Sequence, residues 1–308
     1  MANSQSYWKK REQDHQQKRI KDEKKLLRQL EKRYVEAYDA VLAEINQAYA
    51  NYASSERITI EEAKVRADKA DIVKYAEKAR KYVKERNFSP RANSEMRLYN
   101  MTMRVNRLEL LKTNIGLEMV DLFDNLDKFY SQTLSGEART EFERQAGILS
   151  ETGNLNKKTL DRIVNASFHN ATFSERLWAN QSGLKSELDK LLVRGFTQGK
   201  NPRVLAREIK KAFGVSRYEA DRLLVTEMAR VQLEAQRESY NEFGYDEYEY
   251  IAERTACDIC KPLDGKIFKV KDMEIGENAY PMHPNCHCST AAHFNREAWD
   301  KDLKARGL

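Results

Sequence analysis

The chain reads as a mainly α protein, an elongated long-helix N-terminal region followed by a small α+β C-terminal domain. Three observations carry this reading. Charged residues make up 33% of the 308 positions while only 12 glycines and 5 prolines interrupt them, the composition of long helices with solvated faces. Apolar residues step by three and four along much of the N-terminal half. Beyond Gly244 the period changes to two, and all four cysteines gather there, between Cys257 and Cys288. The 41% hydrophobic share supports a core spread along helices rather than gathered in a sphere. Length alone suggests about two domains. The organisation expected is an extended helical region over 1–135, a helical linker region over 136–200, a C-terminal domain over 201–295 and a tail over 296–308.

Leu27, Leu30, Tyr34, Tyr38, Val41, Ile45, Ala48 and Tyr52 form one apolar helical face, predicting a first helix from about Gln17 to Tyr52. At 1.5 Å per residue it would be on the order of 50 Å long. Its earlier part, Lys9 to Arg33, is mostly solvated charge and is expected to fray. Thr59-Ile60-Glu61-Glu62 is a capping box opening a second helix to about Arg86, which Asn87-Phe88-Ser89-Pro90 breaks. A third helix from near Ser94 carries Met101, Val105, Leu108, Leu111, Ile115, Met119, Leu122, Leu126 and Phe129, a stripe read as core packing. Over 135–200, Gly136, Gly147, Gly153, Gly183, Gly195 and Gly199 are expected to punctuate shorter helical pieces.

Order returns at Asn201-Pro202, an N-cap followed by proline where its missing amide costs nothing. This helix is expected to end at Gly214, with Ser216-Arg217-Tyr218-Glu219 capping another that runs to about Phe243. Two helices joined by Phe213-Gly214-Val215-Ser216 resemble a DNA-reading helix-turn-helix, with Arg194, Lys200, Arg203, Arg207, Lys210, Lys211 and Arg217 nearby. Against that reading, Lys210 stands where tight helix crossing wants a small residue. A strand follows, in which Tyr248, Tyr250 and Ala252 alternate with Glu249, Ile251 and Glu253. Lys266-Ile267-Phe268-Lys269-Val270 is its hairpin partner, turned through Leu263-Asp264-Gly265.

The cysteine window, Cys257-Asp258-Ile259-Cys260 and His283-Pro284-Asn285-Cys286-His287-Cys288, reads as a metal site. Two thiolates separated by two residues grip one ion from a tight turn, and a second group closes a tetrahedron when the chain folds back. Zinc suits such borderline-soft sulfur and nitrogen donors, and one structural ion is expected. Six side chains compete for four positions. Cys257, Cys260, His283 and Cys286 are preferred, with Cys288 in reserve. The bland alternative is a pair of disulfides or inert buried thiols. Met1 to Arg11 lacks the apolar core of a secretory signal, so a reducing cytoplasm is expected and the oxidising alternative gains no support. No run of 18 apolar residues occurs, which speaks against a transmembrane helix. A module this small buries too little apolar surface to hold its shape alone, which gives the ion a structural task and makes the hairpin zinc-knuckle-like.

The run from Asn201 to Thr290 resembles the phage Mu F-like head morphogenesis family, the minor head proteins of tailed bacteriophages. Carrying the resemblance are the glycine-ended helix before Gly214, Thr226-Glu227, the tyrosine-rich strand, Arg254-Thr255, Cys257-x-x-Cys260, Leu263-Asp264-Gly265 and His283-Pro284-Asn285-Cys286-His287-Cys288. The family usually has arginine where this chain has His287. Tyr7-Trp8-Lys9-Lys10-Arg11 and the helical N-terminal half are similar to a branch from phages of Gram-positive hosts. The resemblance implies a portal-associated virion component inside the capsid, made in the host cytoplasm, that assists assembly or DNA packaging and exit. It implies the portal protein as partner, with the scaffold or major capsid protein as further candidates, no membrane, and no enzymatic activity.

Charge adds an independent expectation. The segment Lys64 to Lys112 holds 14 basic against six acidic residues, a local +8 that exceeds the net +6 of the whole chain. Clustered lysines and arginines on helices bind phosphate backbones without reading bases, and Lys74, Lys78, Lys81, Lys84, Arg104 and Arg107 are the candidates for double-stranded DNA. The bland alternative is a solvated charged face. The competing functional class is a metal-dependent hydrolase or nuclease, with Glu253, Asp258 and Asp264 near the site and His287 or His293 shuttling a proton. Six sulfur and nitrogen donors close a shell more readily than they leave it open. A zinc deaminase lacks its His-x-Glu or Cys-x-Glu element, and neither a P-loop nor a serine elbow occurs.

Overall fold

A computed structural model describes residues 2–56, 105–148, 153–168, 170–198 and 202–293. Long helices dominate: α1 (Ala2–Glu56), α2 (Val105–Ile148), α4 (Phe173–Gln198) and α5 (Pro202–Glu242), with the short α3 (Lys157–Val164) between α2 and α4. A three-stranded antiparallel sheet follows, β1 (Glu247–Ile251), β2 (Ile267–Lys269) and β3 (Ser289–His293), in the order β2-β1-β3. The mainly α class with a small sheet at the C-terminal end, expected from the sequence, is the one observed. The expected capping box at Thr59 and the break at Asn87 to Pro90 lie outside the described residues.

Two compact units interleave in the sequence. One comprises Met1–Arg28, Asp127–Arg176 and Asp221–Leu308, the other Gln29–Leu126 and Leu177–Ala220. The second is a helical core built from the predicted stripes. Leu30, Tyr34, Val41 and Ile45 of α1 are buried, as are Leu111, Ile115, Met119, Leu122 and Leu126 of α2, Leu184, Leu188 and Leu191 of α4, and Leu205, Ile209 and Phe213 of α5. Tyr34 sets its ring edge-on to both Phe123 and Phe213, an arrangement that places the positive ring edge on the negative face.

The structure corrects the reading at Gly214. α5 runs unbroken through Phe213-Gly214-Val215-Ser216, so there is no turn and no helix-turn-helix. Ser216 does not cap a helix because tertiary partners occupy it. Its hydroxyl donates to Asn180 Oδ1 at 2.9 Å, while its carbonyl accepts from Asn180 Nδ2 at 2.9 Å and from the Tyr34 hydroxyl at 3.3 Å. Glycine inside a helix costs only about 1 kcal/mol relative to alanine, which the burial of Leu205, Ile209, Phe213 and Ala220 along one face offsets.

The same holds for four of the glycines expected to punctuate 135–200, whereas Gly153 does lie between helices and Gly199 is outside the described residues. α2 continues through Gly136 and Gly147, and α4 through Gly183 and Gly195. Gly195 has a packing role, because a Cβ there would lie 2.7 Å from Leu205 Cδ2. α4 opens on a capping box that the sequence analysis overlooked, Thr172-Phe173-Ser174-Glu175. The Thr172 amide donates to Glu175 Oε2 at 2.7 Å and the Glu175 amide to Thr172 Oγ1 at 3.2 Å.

These two glycines give a test with opposite signs. Gly195→Ala should lower thermal stability by about 1–3 kcal/mol through overpacking. Gly214→Ala, whose Cβ would meet no atom within 4 Å, should raise it by up to about 1 kcal/mol. A destabilised Gly214→Ala protein would mean that the helix turns there after all.

Candidate metal centre

The site lies in the first unit, where the sheet frames two loops. β1 is the central strand, paired with β2 through Tyr248↔Phe268 and with β3 through Tyr250↔Thr290. β3 went unread in the sequence, since Ser-Thr-Ala-Ala-His has neither alternation nor bulk. Its pairing puts β1 in the middle of the sheet, where Glu249 and Ile251 are buried along with Tyr248 and Tyr250.

The loop between β1 and β2 carries Cys257 and Cys260. Asp264 ties its end back to its start by accepting the Ala252 amide at 3.0 Å. Gly265 takes φ +76°, the left-handed conformation that the expected turn demands. Between them the chain coils so that the amides of Cys260 and Lys261 both donate to the Cys257 carbonyl, at 3.1 and 2.9 Å. The second loop, between β2 and β3, carries His283, Cys286 and Cys288. Asn285 adopts φ +61°, tolerable for asparagine, and its amide donates to Thr226 Oγ1 of α5 at 3.2 Å.

The two loops bring five donors together. Cys257, Cys260 and His283 form one group with ligand atoms all within 4.8 Å of one another, and Cys260, Cys286 and Cys288 form a second. Cys260 belongs to both. His283 Nε2 lies 3.2 Å from Cys257 Sγ and 3.4 Å from Cys260 Sγ, and Cys260 Sγ lies 3.8 Å from Cys286 Sγ. His283 Nδ1–H donates to the Pro284 carbonyl at 2.8 Å, which leaves the Nε2 lone pair facing the sulfurs, the tautomer a metal ligand requires. All four cysteines are free thiols, and Cys260, Cys286 and Cys288 are buried.

The electrostatics are those of closely packed sulfur and nitrogen donors. The backbone amide of Cys260 pulls the Cys257 thiol down, and the hydrogen bond from the Cys260 side chain pulls Cys286 down to about 2. Cys260 is pushed far up by its hydrogen bonds to Cys286 and Cys288. Cys288 feels the Cys260 hydrogen bond most and is lowered by it, but Cys286 and burial raise it to about 12. A divalent ion binds cysteine as the thiolate, so binding at these sulfurs would release protons. Tyr250 lies against the same group. Its hydroxyl is fully buried beside these cysteines, with the sulfurs of Cys288 and Cys260 as its hydrogen-bonding neighbours. The residues fit a metal ion.

Other candidates are engaged elsewhere. His287 Nε2 faces Glu23 Oε2 at 2.9 Å and belongs to neither donor group. The Glu253 carboxylate takes the Thr255 amide and hydroxyl and the Gln17 amide, and Asp264 takes Lys9 in addition to Ala252. Asp258 is exposed on its loop, and His293 sits on β3 opposite Glu247. Lys74, Lys78, Lys81, Lys84 and Arg104 lie outside the described residues, and of Arg107 only the backbone, in the first turn of α2, is described.

Two supports hold the site, one visible in the sequence only through the family resemblance and the other not at all. The first is the Thr226-Glu227 pair, whose threonine anchors Asn285. Glu227 is fully buried and accepts from Arg230 Nε at 2.6 Å and Arg176 Nη1 at 3.2 Å, while Arg230 also donates to the carbonyls of Ile163 and Val164 at the end of α3. The second is a buried polar network under β3. Arg144 grips Glu12 at 2.6 and 2.9 Å and Glu141 at 2.8 and 2.7 Å. Gln236 donates to Glu141 at 2.6 Å, Ser289 to Glu12 at 3.2 Å and Thr290 to Gln236 at 2.6 Å. The beginning of α1, expected to fray, is thus docked through Glu12 and Gln16, which are 2% and 1% exposed.

Residues 186–291 match the family model described as Phage Mu protein F like protein. That span includes the end of α4, all of α5, and the described module as far as Ala291 in β3. Neither the curated proteins nor the solved structures give a match. No described helix is long and apolar enough to cross a membrane.

If the cluster shapes this module, replacing Cys257 and Cys260 with serine should open residues 245–290 to protease while the helices stay resistant. Unchanged protection of that stretch would contradict a structural role.

Proposed function

We propose, on the premise that residues 186–291 are a phage Mu protein F like segment, that the chain is a phage minor head protein acting in head morphogenesis. In this reading it is a virion component at the portal vertex inside the capsid, assisting assembly or the packaging and exit of DNA. The portal protein is its partner, and it touches double-stranded DNA without reading sequence. The family match over the module that holds the Cys/His cluster is the observation that carries the reading.

One zinc ion then serves as the structural centre. A tetrahedral site with Zn–S bonds of about 2.3 Å has sulfur-to-sulfur edges of about 3.8 Å. The Cys260–Cys286 separation of 3.8 Å matches that edge and supports the reading, in which Cys257 and His283 complete the preferred set. Cys288 is the reserve, sharing Cys260 as neighbour. A shell closed by protein donors shapes the chain rather than activating water, so the reading is of a structural and interaction protein and not of a hydrolase.

The DNA part rests on the +8 segment from Lys64 to Lys112. Each phosphate neutralised contributes about −0.9 to the slope of log affinity against log salt. Replacing Lys74, Lys78, Lys81 and Lys84 with glutamine should therefore weaken binding to random duplex DNA at moderate salt by at least about tenfold and flatten the slope by up to about 3.6. Unaltered affinity and slope would remove this segment from the contact. Co-purification with the portal protein from assembling heads tests the partner, and a clean separation of the two would refute it.

A further inference from the structure

We infer that Tyr250 is a positioning residue for the metal centre, its hydroxyl donating an O–H···S hydrogen bond to the thiolates of Cys260 and Cys288. The inference rests on the metal reading above and goes beyond it by assigning a role to a side chain that is not a ligand.

The sheet puts Tyr250 in place. Its own amide donates to the Lys266 carbonyl at 2.8 Å and its carbonyl accepts the Gly265 amide at 2.8 Å, so the residue is locked to the end of the Cys257–Cys260 loop. On the other side it pairs with Thr290, two residues beyond Cys288, and side chains two apart along a strand share a face. Tyr250 therefore stands between the two ligand loops. It is fully buried in one apolar cluster with Cys260, Cys286 and Cys288.

A tyrosine hydroxyl with no access to water needs an acceptor, and the groups within hydrogen-bonding reach of this one are the sulfurs of Cys288 and Cys260. A protonated thiol is a weak acceptor and a thiolate a strong one. A tyrosine hydroxyl is protonated at neutral pH, so it remains a donor. Loading an ion would turn these sulfurs into thiolates, the stronger acceptors for the Tyr250 hydroxyl. Hydrogen bonds of this kind tune a metal site, and removing one costs roughly 10–100-fold in affinity.

The test uses the full chain loaded with cobalt(II) or with zinc, comparing wild type, Tyr250→Phe and a protein carrying 3-fluorotyrosine at position 250. Phenylalanine keeps the ring and removes only the donor. It should weaken zinc binding by about tenfold or more in competition with a chelator. It should also shift the sulfur-to-cobalt charge-transfer band to lower energy, as expected when a thiolate loses a donor. The fluorinated ring, a stronger donor of nearly the same shape, should move the band the opposite way, and it keeps the test decisive if Tyr250→Phe folds poorly. Unchanged affinity with an unmoved band in a metal-loaded protein would overturn the role of Tyr250 alone. A wild-type chain that takes up neither metal would instead overturn the metal reading, and this inference with it.

Discussion

Arg144 is the interaction on which the first unit depends. Its guanidinium is mostly buried between two buried carboxylates, Glu12 from α1 and Glu141 from α2, and grips both. These charges lie where water cannot solvate them, so each is tolerable only while the others are in place. Breaking a buried pair of this kind costs about 3–5 kcal/mol. Chain segments far apart in sequence are thereby fixed to one another. The network reaches β3 through Ser289 and Thr290, directly after Cys288, so the strand that leaves the second cysteine loop starts from a fixed point. Burial with the Arg144 charge nearby also keeps His15 neutral, lowering its pKa to about 4.

The Cys/His cluster closes the other end of the same module. Residues 245–293 comprise three short strands and two long loops, and little regular hydrogen bonding joins the loops to each other. Their convergence rests on Asp264 holding the first loop, Thr226 holding the second, and the five donors between them. The family resemblance acquires a physical meaning here. Thr226-Glu227, Leu263-Asp264-Gly265 and the cysteine pairs are distant in sequence, yet each holds a loop, closes a turn or offers a ligand atom in one structure.

Much of this was legible in the sequence where apolar periodicity wrote it. The stripes from Leu30 to Ile45 and from Leu111 to Phe129 are buried, Pro202 begins its helix, and Gly265 makes its turn. The misreadings share a physical cause. Gly214 and Ser216 have the chemistry of a helix break, but Asn180 and Tyr34 claim Ser216 and α5 runs on. Glu12, Gln16, Arg19 and Glu23 recur at steps of four, three and four, a core-like stripe written in polar residues. A search for apolar faces passes over it and assigns the segment to solvent. β3 was invisible because pairing with β1, rather than its own residues, makes it a strand.

Metal content measured on the intact chain tests the central claim most directly. Native mass spectrometry with elemental analysis, before and after a chelator, should find one zinc per chain, and its removal should unfold residues 245–293 while the helices persist. A chain isolated without metal, or one whose C-terminal module keeps its fold when the ion is stripped, would contradict the account.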